Sequence, residues 1–176
     1  MRNVLFLFLT TCFFSVSLLA QDKDSASNVN WLTWEEAVEA SKKSPRKIFV
    51  DVYTDWCGWC KRMDKATFQV PEVAKYLNEN FYPVKLNAEQ KEDIEYGGST
   101  FKYVASGRKG YHQLAAALLE GRLSFPTVVF LNEDHEILQR LAGFIDKDEF
   151  SKVMRWLAED EFKDTPYDEY KSKEQG

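Results

Sequence analysis

Two cysteines separated by two residues, each directly preceded by a tryptophan, occur in DWCGWCK, which runs from Asp55 to Lys61. Such a pair holds a metal ion, staples the chain as a disulfide, or exchanges electrons with other thiols. A zinc site needs four ligands, and only His112 and His135 offer imidazoles to complete it. Copper(I) is the more suitable metal for two thiolates, because thiolates are soft ligands.

The first twenty residues predict an exported protein. Arg2 precedes the apolar run from Val4 to Ala20, and a polar stretch begins directly after it. This order is typical of a signal peptide cleaved after Ala20, which would place the mature protein in the periplasm or elsewhere outside the cytoplasm. The alternative is a retained membrane anchor. Four hydroxyl residues interrupt the run, which favours cleavage: Thr10, Thr11, Ser15 and Ser17.

Cleavage would also remove Cys12 and leave Cys57 and Cys60 as the cysteines of the mature chain. Small exported domains that depend on disulfides for stability carry several scattered pairs. Closing a loop as short as this one removes little entropy from the unfolded chain. The pair is therefore better suited to reactivity than to stabilisation, and metal binding is the other alternative.

The charge of the chain argues against two classes of partner. The 23 basic and 28 acidic residues give a formal net charge of −5, and no stripe of lysine and arginine runs along the sequence. Nucleic acids and anionic membranes attract basic surfaces, so neither is an expected partner. The length after residue 20 suits one domain with a full core, and we expect a monomer.

Hydrophobic patterns and turn residues predict the order of elements. The stretch from Lys47 to Thr54 predicts a strand buried on both faces, and the cysteines follow it directly. A second strand, FYPVKLNA, and a hairpin, SFPTVVFLNEDHEILQRLAGF, complete the sheet. Residues 89–122 combine glycine-rich loops with a helix, YHQLAAALLEG, ending at Gly121. Further helices are expected after Thr33, after the cysteines, after Pro71 and in DKDEFSKVMRWLAEDE.

This order, α-β-α-β-α-β-β-α with CxxC at the end of the first strand, resembles the thioredoxin family. Four segments carry the resemblance: FVDVYTDWCGWCK, YPVKLNA, SFPTVVFL and LAGF. It implies an α/β thioredoxin fold, a central mixed sheet flanked by helices, with an enlarged segment before the cis-proline strand. The chain then divides into a signal peptide (1–20), a flexible linker (21–30), a thioredoxin-like domain (31–162) and a mobile C-terminal tail (163–176).

The position of Cys57 favours it as the attacking thiol. It stands where a strand meets a helix, and the unpaired N–H groups of a helix N-terminus favour thiolate. Cys60, one turn further, is expected to resolve the mixed disulfide. Asp51 shares a strand face with Phe49 and Tyr53, which predicts a core position near the cysteines and a role as proton acceptor for Cys60. The alternative is an ordinary solvated carboxylate.

The resemblance implies further site residues. Lys85 matches the family lysine near this carboxylate, with a solvated charge as the alternative. Pro126 would be cis and would face the cysteines, and Trp56 would offer an apolar docking surface unless it packs in the core. The expected substrate-binding residues are Trp56, Gly58, Trp59, Phe125, Pro126 and Thr127.

The activity that the resemblance implies is thiol–disulfide exchange on protein substrates, without a cofactor. The Lys/Asp pair and the WCGxCK motif favour a reductant that a membrane electron donor, such as a transmembrane thiol–disulfide reductase, keeps reduced. Trp59 replaces the family's usual proline, so the family's reduction potentials do not carry over. An oxidase or isomerase is therefore one alternative, and a Cu(I)-binding protein or non-catalytic adaptor is another. Residues 89–122 form either a lid beside the active site or packing decoration.

Overall fold

The computed structural model describes residues 28–107 and 109–173. The helices of this part are α1 (Trp34–Lys43), α2 (Gly58–Met63), α3 (Pro71–Asn80), α4 (Gln113–Leu118), α5 (Lys147–Ala158) and α6 (Tyr167–Lys173). Its strands are β1 (Ile48–Tyr53), β2 (Tyr82–Asn87), β3 (Ile94–Tyr96), β4 (Ser99–Phe101), β5 (Tyr103–Ser106), β6 (Lys109–His112), β7 (Thr127–Leu131) and β8 (Ile137–Ala142). A π-helical turn, Asp64–Phe68, continues α2.

The predicted mixed sheet is confirmed. Its strands lie in the order β2-β1-β7-β8, with β1 parallel to β2 and antiparallel to β7. The register places Asp51 of β1 directly beside Lys85 of β2, and partners in a parallel pair present their side chains on the same face. Val52 pairs with Thr127, so the chain segment before β7 meets the carboxyl end of β1.

Alternate residues of β1 enter two hydrophobic clusters, one on each face of the sheet. Ile48, Val50 and Val52 pack in the cluster that α1 and α4 cover. Phe49 packs in the other cluster, with Met63 of α2 and side chains of α3 and α5. Every position of β1 except the last is buried, as the apolar pattern predicts. Burial from both sides holds β1 firmly in place, and this fixes the strand end that carries the cysteines.

Residues 89–122 contain two small antiparallel hairpins, β3–β4 and β5–β6, in addition to the predicted helix. Gly97 and Gly98 turn the first hairpin with φ of 61° and 76°. A two-residue turn with positive φ at both positions suits glycine, which lacks a Cβ. The hairpins form sheets separate from the central one and extend the domain beside it.

Helix α4 is shorter than the sequence predicts. Tyr111 and His112, predicted as its first residues, pair with β5 instead. The helix ends at Leu118 ahead of the expected Gly121, because Glu120 and Gly121 have φ of 52° and 76°, which an α-helix cannot accommodate.

Both ends of the described chain pack on the domain. Val29, inside the predicted linker, is 9% exposed and belongs to the second core cluster. The segment predicted as a mobile tail from residue 163 contains α6, and Lys171 of that helix lies 2.6 Å from Glu149 of α5. The indole nitrogen of Trp156 donates to the Thr165 carbonyl at 2.8 Å. No helix in the described residues is long and apolar enough to cross a membrane, and the predicted signal peptide lies outside those residues.

Candidate active site

Cys57 and Cys60 form a disulfide at the carboxyl end of β1. The Cys57 N–H donates to the Thr54 carbonyl at 3.0 Å, which closes the turn that leads into α2. Cys57 is the N-cap of this helix, and its Sγ accepts from the Cys60 N–H at 3.1 Å. An electron-rich sulfur here faces the positive end of the helix, which stabilises a thiolate once the disulfide opens.

Two exposed tryptophans flank the disulfide. Trp56 is 55% exposed and Trp59 is 56% exposed, so the core position considered for Trp56 is wrong. The Trp56 indole donates to a Glu89 carboxylate at 3.0 Å, and its ring meets Phe125 edge to face at 6.1 Å. The Trp59 ring lies 5.8 Å from that of Phe144. Exposed aromatic rings of this size mark a surface suited to contact with another molecule.

The Phe125–Pro126 peptide is cis, as the resemblance implies. The strand register places it at the carboxyl end of β1, and the ring contact of Phe125 with Trp56 ties it to the disulfide loop. Thr127 is 3% exposed and donates its hydroxyl to the Ser124 carbonyl at 2.8 Å, so its side chain turns away from the surface. Gly58 is exposed, and a Cβ placed there would have no heavy atom within 4 Å.

Asp51 lies beneath this surface in the core, 1% exposed. Burial raises its pKa to about 6 against the opposing attraction of Lys85, whose Nζ lies 2.7 Å from Oδ2. The other oxygen, Oδ1, has no hydrogen-bond partner among the residues that the structure describes. A solvated carboxylate is therefore the wrong interpretation of Asp51. A carboxyl group that titrates near neutrality can accept and return a proton.

Asp64 is a site residue that the sequence analysis missed. Lys85 bonds to Asp64 as well as to Asp51, and the negative charge of Asp64 further raises the pKa of Asp51. Burial lowers the pKa of Lys85, but its two carboxylate partners raise that pKa overall. Lys85 is thus not an ordinary solvated charge. The spacing of four residues from the buried Cys60 to Asp64 was the available signal, because it directs both side chains to one helix face.

The Lys85–Asp64 contact borders a surface cavity of about 320 Å³. Its other lining residues come from the N-terminal segment and from the π-helical turn, and Trp31 among them packs its ring 4.7 Å from Lys85 Nζ. Solvent therefore reaches Asp64 and Lys85, whereas the Asp51 side chain is only 2% exposed.

The hydrogen bonds of both histidines are made with residues other than the cysteines. His112 is fully buried, where its ring accepts the Leu114 N–H and contacts the Glu92 carbonyl at 3.1 Å. His135 contacts Tyr96 and Ser41 through its two ring nitrogens. In residues 28–107 and 109–173, no group of three or more metal-ligating side chains is found.

Comparisons with known proteins give the family and the relatives of this chain. Residues 15–158 match the model of a family named Thioredox_DsbH and described as "Protein of unknown function, DUF255". Mouse spermatogenesis-associated protein 20 is 34% identical over 84 residues, 47% of this chain and 11% of that protein. Thiol:disulfide interchange protein DsbD of Pectobacterium atrosepticum is 27% identical over 113 residues, 63% of this chain and 16% of that protein. The chain thus spans a small part of either relative's length.

Solved structures confirm the thioredoxin fold. A protein titled DsbH Oxidoreductase aligns with a TM-score of 0.56 at 22% identity, covering 82% of this chain and 95% of that one. A thioredoxin from Thermus thermophilus aligns with a TM-score of 0.55 at 22% identity, covering 74% of this chain and 87% of that one. A putative disulphide-isomerase from Bacteroides thetaiotaomicron aligns with a TM-score of 0.52 at 26% identity, covering 74% of this chain and 93% of that one. The family match, the similarity to DsbD and the CxxC disulfide together support a thiol–disulfide oxidoreductase kind of activity.

Proposed function

Because this chain belongs to the Thioredox_DsbH family, we propose that it is a thiol–disulfide oxidoreductase that reduces disulfides in other proteins outside the cytoplasm. The observation that carries the proposal is the position of the Cys57–Cys60 disulfide, at a helix N-terminus between two exposed tryptophans. A disulfide that only stabilises the fold needs neither a helix N-terminus nor exposed aromatic neighbours.

The reaction starts from the reduced pair. The Cys57 thiolate attacks a substrate disulfide, forming a mixed disulfide and releasing the first substrate sulfur as a thiolate that takes up a proton. Asp51 accepts the proton of Cys60, whose thiolate then attacks Cys57 Sγ and releases the second substrate sulfur. Two electrons pass to the substrate, and the pair ends as the disulfide of the present structure. A pKa of about 6 suits Asp51 to this exchange near neutral pH.

The substrate surface consists of Trp56, Trp59 and Phe125 with the cis peptide of Pro126 beside them. Apolar side chains of an extended substrate segment would cover these rings. Gly58 lies between the tryptophans in the chain and adds no side chain to this surface, where a Cβ would have no heavy atom within 4 Å. Thr127 contributes through its backbone position at the start of β7, since its side chain is buried.

Reducing equivalents must reach the protein where cytosolic thiols are absent. The apolar run before Ala20 supports export, and the similarity to part of DsbD, a thiol:disulfide interchange protein, supports a membrane electron donor. We expect each turnover to end with reduction of Cys57–Cys60 by such a donor.

Insulin reduction followed by turbidity, with dithiothreitol as the electron source, tests the activity. The full chain should accelerate precipitation, and Cys57→Ser should abolish the acceleration. Incubated with insulin in the absence of dithiothreitol, Cys60→Ser should trap mixed disulfides at Cys57, identified by mass spectrometry of the linked peptides, whereas the control Cys57→Ser/Cys60→Ser should trap none. Turnover by Cys57→Ser, or trapping at another cysteine, would contradict the proposal.

A disulfide isomerase is the second candidate, because the similar Bacteroides protein carries that title. Equilibration with glutathione separates the two. A potential near that of thioredoxin, about −270 mV, supports a reductant, whereas one near about −180 mV supports an isomerase.

A further inference from the structure

Each tryptophan beside the disulfide carries a cation on its ring face. Lys109, from the β5–β6 hairpin, places Nζ 3.7 Å from the centre of the Trp56 ring. Arg62, from α2, places its guanidinium carbon 5.2 Å from the Trp59 ring and 5.4 Å from that of Phe144. Both contacts are within the range of cation–π attraction and hold a positive charge next to an exposed apolar surface.

The two sides of the disulfide differ in net charge. On the Trp56 side, Glu89 bonds to the indole, and Asp55 bonds to Asn87, so carboxylates accompany Lys109. On the Trp59 side, Lys61 and Lys65 join Arg62 on the exposed face of α2 and the π-helical turn. No ion pair involves these three cations in the part of the chain that the structure describes.

The cationic residues on the Trp59 side also border open surface. Gly58, Trp59 and Arg62 line one shallow depression, and Lys61, Arg62 and Lys65 line the next along the helix. Asp64, the carboxylate of this turn, faces inward to Lys85. We call Lys61, Arg62 and Lys65 the cationic rim.

We propose that the cationic rim docks an acidic, extended segment of the protein whose disulfide Cys57 attacks. This inference rests on the proposed function and adds a substrate class to it. Carboxylates of the segment lie against the rim while a neighbouring apolar residue covers Trp59 and the cysteine reaches Cys57. The two electrons still pass from the reduced pair to the bound disulfide, and dithiothreitol supplies them in the assay below.

Charge complementarity is the physical basis. The whole chain has a formal charge of −5, so its net charge repels an acidic partner, whereas a local positive patch attracts one. Attraction at such a patch raises the association rate and orients the partner. Salt screens exposed charges within about 8–10 Å at ordinary ionic strength, so the preference must weaken as salt rises.

The test compares two disulfide-bonded peptides that differ only in having three glutamates or three glutamines beside one cysteine. At low ionic strength, the full chain with dithiothreitol should reduce the acidic peptide about tenfold faster, a ratio that falls toward one at about 1 M salt. Equal rates for both peptides would overturn the acidic-segment proposal and leave the proposed function intact. Failure to reduce either peptide would overturn both.

Substitution locates the preference. Lys61→Gln/Arg62→Gln/Lys65→Gln should bring the ratio of the two rates close to one. The matched control, Lys42→Gln/Lys43→Gln/Lys163→Gln, removes three exposed cations from the opposite end of the sheet and should keep the wild-type ratio. Thermal melting verifies that both variants fold. A wild-type ratio in the rim variant, or a lost ratio in the control variant, would contradict the assignment.

Lys109→Gln provides a further comparison. Because carboxylates accompany Lys109, its loss should change the ratio by no more than about twofold. A larger change there than in the rim variant would move the docking site to the Trp56 side and overturn the proposal.

Discussion

Two lysines of this protein each lie between two carboxylates, but burial is distributed in opposite ways. Lys47, whose side chain is 6% exposed, contacts Glu133 at 3.2 Å and Asp160 at 2.9 Å, and both carboxylates are 43% exposed. The side chain of Lys85 is 20% exposed and contacts Asp51, whose side chain is 2% exposed. The first cluster buries its cation, and the second buries one of its anions.

The consequences for titration are opposite. The hydrogen bond from Lys47 lowers the pKa of Asp160, and the pKa of Lys47, despite burial, is raised by its carboxylate partners, so this pair remains charged across the neutral range. Burial instead raises the pKa of Asp51 to about 6, despite its own lysine. The same three groups, a lysine and two carboxylates, therefore behave differently in the two clusters. The cluster at the start of β1 keeps its charges, whereas the cluster farther along the same strand contains a carboxyl that can exchange a proton. The buried group decides which of the two results.

The largest expected effect is a gain of stability in Asp51→Asn. The pKa of Asp51 rises from 3.8 to about 6 on folding, so ionisation above pH 6 costs the folded state about 3 kcal/mol. Below pH 3.8 the group is protonated in both states and contributes nothing. The free energy of unfolding of wild type should therefore fall as pH rises from about 4 to about 6, whereas that of Asp51→Asn should not show this fall. Urea unfolding of the oxidised proteins at a series of pH values measures the difference, and a pH-independent difference would contradict the account.

Lys47→Met should act in the opposite direction. At pH 7 it removes buried charge-assisted contacts and should destabilise the protein by about 1–3 kcal/mol. Because the folded pKa of Asp160 is lowered, the stability from this pair is present above the unfolded pKa and is lost as pH falls through the folded value. The destabilisation should therefore shrink in acid, in the same unfolding experiment. Lys163→Met, which removes the exposed lysine bonded to Asp160, is the control and should change stability by about 0.5 kcal/mol or less.

Asp64→Asn should have the smallest effect and sharpens the comparison. The negative charge of Asp64 raises the pKa of Asp51, so its removal should lower that pKa. The acid limb of the pH–rate profile for substrate reduction should move to lower pH. The size of this shift should equal the decrease in the pKa of Asp51 measured by NMR. Asp148→Asn, in an exposed pair with Lys147, should leave both unchanged. A shift in only one of the two measurements would contradict the role of Asp51 as the proton acceptor.

The main strands and the site within them were predictable because their patterns are long and local. The apolar run around Phe49 predicted β1, and two-residue periodicity placed Asp51 on the inward face, where it lies. The helix expected after Thr33 is present, and Thr33 and Glu36 form a capping box at its start. These features depend on residues a few positions apart, and the physics that fixes them acts within one element.

The two small hairpins and the role of Asp64 were not predicted, because the sequence carries only weak signals for them. Strands of three or four residues are too short to show periodicity, although the Gly97–Gly98 pair was a hairpin signal. The role of Asp64 requires knowing that Lys85, 21 residues later, lies opposite its helix face. The contact between Lys109 and Trp56 likewise joins residues that are far apart in the sequence, so no local sequence pattern could predict it.

The Lys47–Asp160 contact has a practical consequence for anyone shortening this protein. The family match ends at residue 158, two residues before the carboxylate that partners the buried ammonium. Trimming the gene there would also discard Thr165 and Tyr167, which cover Trp156. Expression fragments that keep the chain through residue 173 should yield the intact domain, whereas those cut at the homology boundary should precipitate.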